Sequence, residues 1–270
     1  MRAPPPSGCA ALFIALGVVL APRAASAEAP AVATPPGRYT PYIERGNAVP
    51  APFAYAQPGV IATLRPGAPT LVEGSVGFGV GLTSRVWLDG AIGTLAMAPR
   101  VGFHSLQIGP NALLVDIPAF ELAATAHVSF AAVDGRPVEQ VEPGLMAVVR
   151  PGPPLRVDAG LYVDGNPGPV TTFGLRVPLS LTLQITPHVY AAINSGVTVA
   201  TFADLAGTTA IPVGLTLGWG ERLGRAPRPV AVAVVPSIVF PELIKPWAAA
   251  TLRPGYAAMA LTFIVGSRLW

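Results

Sequence analysis

The sequence predicts an all-β chain, a transmembrane antiparallel up-and-down β-barrel of about ten to twelve strands. Three observations carry that prediction. Apolar residues make up 51% of the 270-residue chain and charged residues only 11%. Soluble domains average about 25% charged, so this chain has too few charges to coat a water-exposed surface. After residue 27 no window holds 18 consecutive apolar residues, which removes helical membrane spans. The third observation is a long alternation of period two.

That alternation is clearest from Phe173 to Thr198. Phe173, Leu175, Val177, Leu179, Leu181, Leu183 and Ile185 alternate with Gly174, Arg176, Pro178, Ser180, Thr182 and Gln184. Thr186-Pro187-His188 breaks the run, which resumes with Val189, Ala191, Ile193 and Val197 against Tyr190, Asn194, Gly196 and Thr198. A period of two places the branched apolar side chains on one face of a strand and the small or polar ones on the other. Soluble strands run about 5–6 residues, and strands that cross a bilayer at a tilt need about 9–11. The first arm of this hairpin has 13 residues, long enough to cross.

The first 27 residues read as a secretory signal peptide. Arg2 supplies the positive end, Ala10–Leu20 the short apolar core, and Ala25-Ser26-Ala27 the small-residue cleavage site. Cys9 precedes the apolar core, the wrong order for a lipoprotein, and the mature chain is expected to start near Glu28 without a cysteine. Loss of Arg2 and Arg23 leaves 15 basic against 14 acidic residues. The pI of 9.3 therefore reflects a near balance and not a basic patch, and nucleic-acid binding has no support.

Residues 28–58 contain Pro30, Pro35, Pro36, Pro41, Pro50, Pro52 and Pro58 with little periodicity, and are expected to be an extended periplasmic tail or linker. Residues 59–270 are the expected barrel. Its strands are read at Gly59–Pro66, Leu71–Leu82, Val86–Met97, Ser105–Ile117, Ala119–Phe130, Glu142–Arg150, Leu155–Asp164, the two arms of the long hairpin, Ala210–Gly220, Arg228–Phe240 and Tyr256–Trp270. Asp134-Gly135 and Asp164-Gly165-Asn166-Pro167-Gly168 mark turns. Pro178, Pro212 and Pro236 fall inside strands, where each missing N–H calls for a bulge. Trp87, Trp219, Trp247 and Trp270 lie near strand ends, where a membrane barrel carries its aromatic girdles.

The pair LVEGSVGFGVGL-TSR-VWLDGAIGTLAM (Leu71–Met97) and the turn around Thr186-Pro187-His188 resemble the hairpins of Gram-negative outer-membrane barrels, which join long strands by short turns on one side. The terminal aromatic Trp270 resembles the assembly signal of such barrels, although Arg268 and Gly266 stand where that signal has apolar residues. The resemblance implies an outer-membrane location, with lipid and the outer-membrane assembly machinery as partners. It implies a narrow pore or transport channel for small solutes, or a structural envelope component.

Catalytic, metal and cofactor signals are thin. Gly77-Phe78-Gly79-Val80-Gly81 lacks the strand-then-helix context of a nucleotide loop. His104, His127 and His188 have no metal-ligand spacing. Arg222, Arg225 and Arg228 cluster in one loop, where solvation or contact with lipid phosphates are both open. His127 and Ser129 share a strand face, with Glu139 ten residues beyond. They resemble the His-x-Ser pair of outer-membrane lipid A deacylases, with Phe130 where that family has Asn. The resemblance implies a barrel-embedded hydrolase as one alternative, and a soluble secreted all-β sandwich is the other. No residue is assigned to catalysis, metal or cofactor. Arg156, Asp158, Arg176, Gln184, Tyr190 and Asn194 fall on the non-apolar faces of their strands and are the candidates to face a lumen.

Overall fold

The computed structural model describes Tyr42, Arg45, Gly46, Ala48, Val49 and residues 53–97, 100–133, 136–166, 171–223, 230–247 and 256–268. The signal-peptide reading, the terminal Trp270 and the Arg225–Arg228 loop lie outside them. Twelve strands follow one another around a closed barrel, each antiparallel to its neighbours. They are β1 (Phe53–Leu64), β2 (Leu71–Gly81), β3 (Val86–Met97), β4 (Arg100–Ile117), β5 (Phe120–Val133) and β6 (Arg136–Gly152). The rest are β7 (Leu155–Asn166), β8 (Thr172–Gln184), β9 (Val189–Val199), β10 (Thr209–Leu223), β11 (Val230–Ile244) and β12 (Ala257–Arg268). Closure is made by β1 against β12, with Phe53 opposite Arg268 and Leu64 opposite Ala257. Sheet closure removes every open edge, the condition for carrying backbone N–H and C=O groups through hydrocarbon.

Side chains alternate as the period requires. Leu181 is 46% exposed while its neighbour Thr182 is 1% exposed. Leu179, Ile193, Leu215, Leu217, Leu261 and Phe263 are exposed in the same way. Apolar residues therefore stand on the outside of a single wall, and the soluble sandwich is overturned because no second sheet covers them. An exterior of this kind is compatible with lipid and not with water.

At the end of the barrel that carries both strand termini, two turns use one device. In the β2–β3 turn the Thr83 hydroxyl accepts from the N–H groups of Arg85 (3.1 Å) and Val86 (2.9 Å). In the β8–β9 turn the Thr186 hydroxyl accepts from His188 (3.3 Å) and Val189 (3.1 Å). Both are hydroxyl-capped turns, which explains why a Thr opens each break in the alternation. At the other end the β9–β10 connection forms short helical turns, Phe202–Asp204 and Leu205–Thr208.

Of Pro178, Pro212 and Pro236, only Pro212 requires a register shift. Pro212 sits at the irregularity between Ile211 and Val213. Pro178 pairs with Gly196 in one ladder, and the other ladder skips from Ala159–Leu179 to Tyr162–Arg176 without a slip. Pro236 does the same, paired with Leu261 and skipped between Thr216–Ser237 and Trp219–Val234. A proline lacks one donor, so a two-residue interruption on one side is sufficient, and a bulge is not needed. Gly196 makes room for Pro178. Its φ is +139°, and a Cβ there would collide with the Val177 carbonyl.

The sequence reading is corrected at the entrance to the barrel. The wall begins at Phe53, not Gly59, and Pro58 lies inside β1 opposite Val76. The β1–β12 ladder skips from Ala56–Val265 to Gly59–Thr262, the same accommodation, so a proline did not mark the end of the linker. Ahead of the wall, Tyr42, Arg45 and Val49 contact its inner face. Trp87 is also reassigned. It is 1% exposed and packs with Val49, Leu113 and Ala123, an inward position and not a lipid-interface one. Trp219 and Trp247 are exposed.

Candidate functional site

The inner face holds two layers of polar groups. The first lies at the end that carries the strand termini, because Trp87, Glu121, Arg156 and Tyr190 each stand at the second position of their strands there. Arg156 is buried, and its Nε donates to Asp158 Oδ1 (2.8 Å) and Oδ2 (2.9 Å). Its Nη1 donates to the carbonyls of Tyr42 (3.2 Å) and Arg45. Arg150, near the end of β6, donates from Nη2 to the same Arg45 carbonyl (2.7 Å) and to Glu121 Oε1 (2.6 Å). The Tyr42 ring stacks on Tyr190 with centroids 4.2 Å apart and planes 16° apart. The Arg156 guanidinium lies 4.8 Å from the Tyr42 ring centroid.

Tyr42, Arg45, Gly46, Ala48 and Val49 thus lie against the inner wall at this mouth. Gly46 passes close to Glu121, where a Cβ would lie 3.3 Å from Oε1. Val49 is buried among Trp87, Leu113 and Ala123, with Ala48, Phe53, Tyr55 and Met146 around them. Charge-assisted donors hold the Tyr42 and Arg45 carbonyls, and an apolar cluster holds Val49. Burial, and after it the Asp158 carboxylate, push the Tyr42 phenol above its ordinary pKa, so the ring meets Tyr190 as a neutral hydroxyl.

The second layer lies deeper. His127 Nε2 is 2.6 Å from Asp89 Oδ1, and Nδ1 is 2.9 Å from Thr125 Oγ1 and 4.0 Å from Glu142 Oε1. A carboxylate only accepts, so Nε2 carries the proton, and in the neutral ring Nδ1 accepts from the Thr125 hydroxyl. Glu142 is ion-paired with Arg176, whose Nε lies 3.6 Å from Asp164 Oδ2. Gln140 donates to Asp164 Oδ1 at 3.0 Å, and the Arg176 guanidinium lies 5.0 Å from the Tyr162 centroid. One connected band of charge therefore runs from β3 to β8.

A cavity of about 280 Å³ opens beside this band, between Tyr55, Gln57, Ser75, Asp89, Gln107 and Thr262. The opposite wall carries small groups, with Thr182, Ala192, Gly214 and Gly218 buried. There Asn194 Nδ2 donates to Thr216 Oγ1 at 2.8 Å.

Of the six candidates, Arg156 and Asp158 pair with each other, and Tyr190 takes Tyr42. Arg176 pairs with Glu142 and Asp164, and Asn194 with Thr216. Gln184 is half-buried, and its Nε2 donates to the carbonyls of Thr186 (2.7 Å) and Val189 (3.1 Å) in the adjacent turn. Sequence reasoning missed Asp89, Glu121, Glu142 and Arg150. The signal for Glu121 was parity, since Glu121, Thr125, His127 and Ser129 alternate with Leu122, Ala124 and Val128. Alanines in both sets blurred it. His127 bonds Thr125 and Asp89 and not Ser129, so the hydrolase pair is not assembled among the described side chains. The side chains of Glu139, His104 and Arg222 lie outside them.

The fold is that of an outer-membrane β-barrel. No family model matches the chain, and no curated protein matches it in sequence. Among solved structures, the NanC porin superposes with a TM-score of 0.53 at 10% identity, over 76% of this chain and 98% of that one. An anion-selective porin from Comamonas acidovorans gives 0.39 at 9% identity, over 79% and 98%. The translocator domain of the autotransporter NalP from Neisseria meningitidis gives 0.42 at 10% identity, over 80% and 88%. At these identities the likeness to the NanC porin extends to the fold and no further.

Proposed function

We propose that the chain is an outer-membrane barrel that passes small solutes through a narrow lumen, and that Tyr42, Arg45, Gly46, Ala48 and Val49 belong to its own stopper. The observation that carries this reading is the inversion of polarity across one wall. Leucines and valines lie outside, and hydrogen-bonded charges lie inside around a cavity of about 280 Å³. In this reading the end with the strand termini is periplasmic, and the assembly machinery inserts the barrel into lipid. Arg156, Asp158 and Tyr190 hold the stopper, while Arg176 and Asn194 line the lumen above it. Gln184 braces the turn at the rim. No residue is assigned to catalysis.

The test is planar-bilayer conductance of the refolded chain against a variant whose residues 42–49 are replaced by a Gly/Ser segment of equal length. Rare or small openings in the parent and steady conductance in the variant are expected. Absence of current in both overturns the channel.

A further inference from the structure

We propose that the cavity beside Asp89 is a binding site for a small uncharged polyhydroxylated solute, a molecule of the monosaccharide class. The proposal deepens the channel reading and rests on it for access, because a solute reaches this cavity through the lumen.

Strand register arranges the lining in three rungs. The middle rung runs Gln57, Gly77, Ala91, Gln107 across β1 to β4. Two long amides flank a floor of two small residues, and at about 4.8 Å per strand their backbones stand roughly 14 Å apart. The rung nearer the strand termini carries Tyr55 and Asp89 on either side of Gly79. A Cβ at Gly79 would collide with the Tyr55 ring, so the glycine leaves the ring room to lie over the wall, at the edge of the cavity it lines. The rung beyond supplies the Ser75 hydroxyl, and Thr262 of β12 adds a second one across Gly59.

The lining selects by what it leaves open. Among the described residues, the side chains of Tyr55, Gln57, Ser75, Gln107 and Thr262 make no hydrogen bond to protein. Each is an uncharged group that both donates and accepts. A solute with hydroxyls around its edge satisfies such groups in either sense, and its C–H face fits an aromatic ring. The Asp89 carboxylate is already engaged, accepting a hydrogen bond from His127 Nε2 at 2.6 Å, and Arg176 is held on Glu142 and Asp164 on another part of the wall. Among the described residues, no Lys or Arg lines the cavity to attract an anion. Its volume lies just below the range of drug-sized pockets, which begins at about 300 Å³, and suits a single sugar ring.

The test is saturation-transfer NMR on the full chain refolded in detergent, titrated separately with D-glucose, glucosamine and glucuronate. Saturable glucose binding is expected, with both charged congeners weaker. Gln107→Ala and Gln57→Ala each remove one hydrogen-bonding arm and are expected to weaken glucose by about three- to ten-fold. Ala91→Leu fills the floor and is expected to abolish binding. Gln57→Asn keeps the amide and shortens its reach, and it serves where an alanine variant fails to fold. The site is overturned by absence of saturable glucose binding, by tighter binding of either charged congener, or by unchanged affinity in the variants. The readout needs no current, so a barrel that binds glucose without conducting sinks the channel alone, and one that conducts without binding sinks this site alone.

Discussion

Arg156→Ala should release the stopper without unmaking the barrel. The Arg156 side chain donates to two carbonyls of the segment, those of Tyr42 and Arg45, and its guanidinium lies over the Tyr42 ring. Hydrogen bonds from a charged donor contribute about 1.5–3 kcal/mol each, and a desolvated cation–π contact such as this buried one about 2 kcal/mol. Arg150 still holds the Arg45 carbonyl at 2.7 Å, so one of the two backbone bonds is partly replaced. Asp158, a quarter exposed, regains water when its partner is removed. A net loss of about 2 kcal/mol remains, which raises the population of the released segment about 30-fold.

The assay is a cysteine at Ala48. The only natural cysteine is Cys9, so a chain refolded from Glu28 carries this reporter alone. Maleimide labelling should accelerate by about 30-fold in Arg156→Ala where labelling follows the opening equilibrium. Conductance should rise in parallel, and heat-modifiable gel migration should stay that of a folded barrel. Arg156→Lys keeps a charge but loses the planar fork, and should fall between the two. Labelling and conductance equal to the parent's would refute the stopper's anchoring.

Trp87→Ala empties the cluster beneath Val49 and should lower unfolding stability by about 3–5 kcal/mol, measured by urea titration in lipid vesicles; a change under 1 kcal/mol would return Trp87 to the lipid interface. Leu179→Arg, near the middle of β8 and 47% exposed, should cost about 2–4 kcal/mol in a bilayer if that face meets hydrocarbon, and little if it meets water. Gly196→Ala places a Cβ against the Val177 carbonyl at φ +139° and should destabilise by about 1–3 kcal/mol in the same urea titration.

The alternation from Phe173 to Val199 determined the class of fold, the membrane-scale strand length and the face that each side chain takes. These are local properties of a period-two backbone. Composition excluded membrane helices and a charged soluble surface. The breaks in the alternation at Thr83-Ser84-Arg85 and Thr186-Pro187-His188 placed two turns, and the structure shows a Thr hydroxyl capping each over three residues. What the tertiary structure decided is everything that depends on closure. Parity says that Arg176 points inward, but closure decides that its partners are Glu142 and Asp164, 34 and 12 residues earlier. The same holds for Trp87, whose place near a strand end matched a girdle until Val49 was found against it. Prolines 28–58 carried no period, so nothing local distinguished a free linker from a segment lodged across a mouth. That distinction lies in Arg150, Arg156 and Tyr190, about a hundred or more residues further along the chain, and only a closed barrel brings them to one place.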